Sequence, residues 1–158
     1  MNSLVEKIID WLKKSFGKLI QTNATPHQIA MGFSAGAFIG VFPTFGFGWI
    51  IAAGLSFLFK LNYTSTIIGS IVVMNPITWP FFYTLSAFMG AWVFNENPST
   101  VLNIIHKGNL LSSIGKVSFI YLIGNLIISL IVSIFCYFII KKMVIDYRIR
   151  KEIKTLGA

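Results

Sequence analysis

Asn75 and Thr78 flank Pro76 in the run Met74-Asn75-Pro76-Ile77-Thr78, and Thr44 follows Pro43 in Val41-Phe42-Pro43-Thr44-Phe45-Gly46. Amides and hydroxyls beside a helix-breaking proline have definite chemistry open to them. Proline has no N–H and its ring disfavours helix in the residue before it. Pro43 therefore leaves the carbonyl of Ile39 without a partner, and Pro76 leaves that of Val72. Each break presents carbonyls at one helix end and N–H groups at the next helix start. Helix starts favour anions and helix ends favour cations. Asn75, Thr78 and Thr44 add side-chain donors and acceptors to these gaps. Lys60-Leu61-Asn62 marks a surface point where a lysine snorkels to headgroups. Thr44, Lys60, Asn62, Asn75 and Thr78 are thus a candidate set for an anionic or phosphate-bearing ligand. The other reading, in which Thr44, Asn75 and Thr78 only cap the helices beside them, stays open.

What is missing narrows the chemistry further. No Asp or Glu lies between Asp10 and Glu96, so the carboxylate that a proton relay or cation-coupled carrier normally uses is absent there. Paired carboxylates, a Ser-His-Asp set and a zinc cluster are equally lacking. The chain is therefore expected to be no enzyme and to need no metal or cofactor. His27 and His106 sit at helix ends and read as solvated. The single cysteine, Cys136, excludes an intramolecular disulfide and reads as a small apolar residue.

The elements that must position these residues are apolar throughout. Of 158 residues, 55% are hydrophobic and 11% charged, against roughly 25% charged in soluble domains. Between Lys18 and Glu96 the only formal charge is Lys60. The net charge of +8 collects at the ends, on Lys7, Lys13, Lys14 and Lys18 and again on Lys141, Lys142, Arg148, Arg150, Lys151 and Lys154. Basic flanks of apolar segments read as cytoplasmic anchors. Nucleic acid is not expected, because no binding motif accompanies the charge. The expected fold class is an all-α integral membrane protein of the inner membrane, multi-pass, with both termini cytoplasmic.

Residues 1–24 read as an interfacial amphipathic helix and its link. Leu4, Ile8, Leu12, Phe16 and Leu19 lie on one face, and lysines lie opposite. Residues 25–140 form the membrane domain. Thr25, Pro26 and Gln28 spell a capped helix start, and Gly32, Gly36 and Gly40 give that helix a groove for close packing. Pro43 and Gly46 break it. A second break falls at Pro76 and Pro80, with the chain restarting near Thr78 or Trp79. Val117 to Ile140 carries no charge and is long enough to span a bilayer. Residues 141–158 form a basic tail.

The two breaks share a layout, since Gly36 precedes Pro43 at the spacing at which Gly69 precedes Pro76. That fits two short helix-break-helix hairpins, as in transporters with internal repeats. If both basic ends are cytoplasmic, the number of crossings is even. The last span is one crossing, so the block before it crosses an odd number of times. One of its short runs then dips in without crossing, or two runs join into one broken span.

Pro26, Ala30, Gly32, Gly36, Gly40, Pro43 and Gly46, then Lys60 with Asn62, then Asn75-Pro76-Ile77-Thr78, Tyr83 and Gly90, together resemble the domain of unknown function 2062 family of small bacterial membrane proteins. The resemblance covers roughly residues 20–140. It implies location and fold, and through relatives attached to envelope glycosyltransferases it implies work on envelope lipids. Two functions are expected from these features together. One is a transporter or flippase-like protein for an anionic or phosphate-bearing lipid. The other is a structural scaffold, with membrane lipids, a second copy of the chain or other envelope membrane proteins as partners.

Overall fold

The computed structural model of the protein describes residues 10, 14, 17, 24–42, 44, 47–73, 78–106 and 115–156. Pro43, Gly46, Asn75 and Pro76 lie outside that set, as does most of the expected amphipathic helix, of which Asp10, Lys14 and Gly17 are helical. Six helices are bounded among the described residues: α1 Pro26–Val41, α2 Gly48–Leu58, α3 Tyr63–Val73, α4 Trp79–Val93, α5 Pro98–His106 and α6 Lys116–Leu156. No strand occurs among them.

The helix ends follow from local chemistry. Thr25 and Gln28 close a reciprocal capping box at the start of α1, with Pro26 in the first turn. At its other end, Phe42 turns extended while its N–H still reaches the Phe38 carbonyl. α2 and α4 end alike. Lys60 and Asn95 take left-handed backbone, with φ of 51° and 54°. The next N–H returns to the last turn in each case, Leu61 to Ser56 and Glu96 to Ala91, both at 2.9 Å. An asparagine then starts the following helix. Asn62 Oδ1 accepts from the Ser65 N–H at 3.0 Å and from its hydroxyl at 2.9 Å, and Asn97 Oδ1 accepts from the Ser99 N–H at 3.0 Å. Asn62→Ala should therefore cost about 1 kcal/mol, as loss of an N-cap does, seen as a lower melting temperature in detergent micelles.

The helices lie almost backbone to backbone along two seams. In the first, Gly32 faces Asn62 and Ser65, Gly36 faces Thr66 and Ser70, and Gly69 faces the backbone of Phe33. Rising numbers on α1 meet rising numbers on α3, so these helices run parallel, and α2 returns the chain between them. In the second, Gly90 faces Ile120, and Gly124 faces Ser86 and Gly90, so α4 and α6 run antiparallel. α1 also runs antiparallel to α6, through Val41 with Asn125, Ser34 with Ser133, His27 with Tyr137 and Ala24 with Arg148. α3 and α4 consequently advance in the same direction, one after the other. The start of α1 and the end of α6 lie at the same end of the molecule.

Small polar residues share the interior with apolar ones such as Ile29, Phe33, Ile68, Ile120 and Ile128. Ser34, Ser56, Ser65, Thr66, Ser70, Ser86, Asn125 and Ser129 are buried, while Trp49, Phe57, Leu58, Phe59, Trp92 and Phe135 stand exposed. Among the described residues, α6 alone is long and apolar enough to cross a membrane. It does not stop at Ile140 but continues as one helix of 41 residues through the basic stretch to Leu156. No glycine or proline interrupts that stretch, and its Lys, Arg and Glu residues are good helix formers.

Candidate functional site

Because α1 and α3 pack in parallel register, their C-terminal ends at Val41 and Val73 come level with each other. Each end carries carbonyls with no partner inside its own helix. Side chains from elsewhere satisfy them. The Thr78 hydroxyl donates to the Val73 carbonyl at 2.6 Å. The Asn125 Nδ2 donates to the Val41 carbonyl at 3.0 Å and to the Ser86 hydroxyl at 3.2 Å, and that hydroxyl in turn donates to the Phe82 carbonyl. Asn125 thus ties the end of α1 to the middle of α4 from its place on α6.

The carbonyl of Val41 can only accept, which fixes the nitrogen of Asn125 toward it and sends Oδ1 the other way. That oxygen is buried and has no hydrogen-bond partner among the described residues; the buried hydroxyl oxygen of Thr44, three residues beyond Val41, has none among them either. Buried polar atoms are normally paired. These two are acceptors open to a donor or a small cation. Tyr121 lies one turn before Asn125 on α6, and its ring centroid lies 5.3 Å from that of Tyr83.

The candidate residues from the sequence fall in three places. Thr44 lies just past the end of α1, and Thr78 seals the end of α3, with Pro80 in the first turn of α4. With its hydroxyl on Val73, Thr78 makes no side-chain cap of α4 itself. Lys60 and Asn62 form the corner between α2 and α3, where Lys60 is exposed and Asn62 holds the start of α3. Gly32 and Gly36 line the α1–α3 seam, and Gly40 is buried on the same helix. Asn75 lies outside the described residues. Asn125 and Ser86 were missed in the sequence reading. Asn125 had a signal, because it is the one amide in the run from Val117 to Ile140, and an amide in such a run either glues helices or serves a site. Ser86 had none.

No group of three or more His, Cys, Asp or Glu side chains that could hold a metal occurs among the described residues. A sequence model of a family described as an uncharacterized protein conserved in bacteria (DUF2062) matches residues 9–152. No curated protein and no solved structure gives a significant match.

Proposed function

The chain belongs to the DUF2062 family of bacterial proteins, and from that premise we propose that it is an integral protein of the cytoplasmic membrane that moves or holds a phosphate-bearing lipid. The distribution of side chains supports the membrane setting. Many large apolar groups face outward while small polar groups and glycines lie in the seams between helices, which suits helices that associate by close packing in lipid. In this reading α3 and α4 together make one broken crossing, and α6 makes a second. α1, about 24 Å long at 1.5 Å per residue, falls short of a hydrocarbon core of roughly 30 Å. It dips in, and α2 returns it to the side it came from. Both ends of the chain then lie on one face, and the basic residues following Ile140 make that face cytoplasmic.

The observation that carries the transport role is the pair of helix starts just beyond the two breaks, α2 at Gly48 and α4 at Trp79, neither of which has a side-chain cap, since open helix starts favour an anionic group. Interrupted helices inside a bilayer are tolerated where protein or a wet cavity serves their free backbone groups, and half-helix ends there bind polar ligands. The test is label movement in vesicles. Reconstituted protein should speed the crossing of fluorescent phosphatidylglycerol from inner to outer leaflet, and Asn75→Ala and Lys60→Ala should each slow it. Rates equal to those of protein-free vesicles would remove the proposal. The scaffold reading keeps one observation in its favour, the aromatic face of α2, where Phe57 is 87% exposed. Partner membrane proteins captured by a crosslinker at Phe57, with no lipid movement, would favour it.

A further inference from the structure

A groove of about 830 Å³ opens between α1, the end of α2 and α6, lined by residues that include His27, Ser34, Phe38, Phe59, Tyr137 and Phe138. We propose that it holds the acyl chain of one anionic phospholipid, with the headgroup at the His27–Tyr137–Lys141 end. This rests on the membrane setting proposed above, but not on lipid movement.

The groove is polar at one end and apolar along its length. His27 Nδ1 and the Tyr137 hydroxyl share a hydrogen bond of 2.8 Å, and Lys141 Nζ lies 5.6 Å from the Tyr137 ring centroid. Further in, the hydroxyl of Ser133 is committed to the Ser34 carbonyl, and that of Ser34 to the Met31 carbonyl. Among the described lining residues, the inner part therefore offers no free side-chain donor to a ligand and suits a hydrocarbon. From His27 to Phe38 the groove follows α1 for about 16 Å, at 1.5 Å per residue. That is about half of a hydrocarbon core of roughly 30 Å, the depth one leaflet's chain reaches.

Charge complementarity selects the headgroup. The rim lies where α6 passes from its apolar run into Lys141, Lys142, Arg148, Arg150 and Lys151, against which stand only Asp146 and Glu152. Clusters of this sign beside a membrane segment attract anionic lipids. Tyr137 holds the rim in place, because it touches both the histidine and the lysine.

The full chain, purified from membranes in mild detergent, should retain phosphatidylglycerol over phosphatidylcholine in native mass spectrometry. Lys141→Gln should cut that preference about fivefold, the effect of one basic group near an anionic surface. Ala35→Phe, which fills the groove, should remove the retained lipid while the helical spectrum stays unchanged. A photo-crosslinking residue at Phe38 should label lipid. Labelling of residues 1–23 of the same chain, or of a second copy, would overturn the proposal, as would equal retention of both lipids by the unaltered chain. Recovery of the chain outside the membrane fraction would instead overturn the membrane setting. A chain that stays in the membrane, prefers phosphatidylglycerol and moves no label would keep this inference and remove the transport proposal.

Discussion

Gly36→Ala should lower the melting temperature in detergent micelles by roughly 5–10 °C, which for a chain of this size corresponds to a loss of about 2–3 kcal/mol. A methyl group built on Gly36 would fall inside contact distance of the Thr66 carbonyl and 2.8 Å from the Ser70 nitrogen. These are backbone atoms, so no rotamer change relieves the clash, and α1 and α3 would have to separate. Gly69 meets the backbone of Phe33 from the other side of the seam, so Gly69→Ala should act alike. The two together should cost less than their sum, because the first already parts the helices. Gly54 supplies the internal control. It is exposed in the middle of α2 with nothing within 4 Å, and Gly54→Ala should stabilise the chain by about 0.8–1 kcal/mol through helix propensity. Equal melting points for Gly36→Ala and the unaltered chain would mean that the α1–α3 seam is not formed.

Asn125→Leu should destabilise the chain by about 1–3 kcal/mol, because it strands the buried carbonyl of Val41, while the Ser86 hydroxyl keeps its bond to Phe82. The leucine fits the apolar run in which Asn125 sits, so the loss reports the hydrogen bonds to Val41 and Ser86 and not the hydropathy of α6. Asn125→Asp tests the direction of those bonds. It keeps the size of the side chain but places an oxygen against the Val41 carbonyl, and it should do at least as much harm as leucine. If aspartate were tolerated better than leucine, the acceptor Oδ1 would be the atom that matters and the Nδ2 bonds would not. Label movement in vesicles separates this structural role from transport. At a temperature where both variants remain folded, a loss of movement points to the polar node itself.

Most of the helix boundaries were legible because single residues set them. Thr25, Pro26 and Gln28 start α1 by a cap that local sequence fully specifies, and Pro80 falls in the first turn of α4, where a missing N–H costs nothing. The corner at Lys60 was harder to read. A left-handed C-terminal residue is usually glycine, so a lysine at 60 and an asparagine at 95 give no local sign of the two corners they make. The glycines of α1 announced a close contact, but not that α3 would run parallel to α1. Direction and register are tertiary facts, set where Gly69 meets Phe33. The polar node depends on Asn125 meeting a carbonyl 84 positions away, and no local pattern encodes such a meeting.

That separation bears on how the protein is made. The seal on the first short helix is delivered by the last one, so at translation rates of roughly 5–20 residues per second the carbonyl of Val41 waits about 4–17 s for Asn125 to emerge from the ribosome. A nascent chain stalled before Asn125 would carry α1 with no lock on its end, a ready target for quality-control proteases.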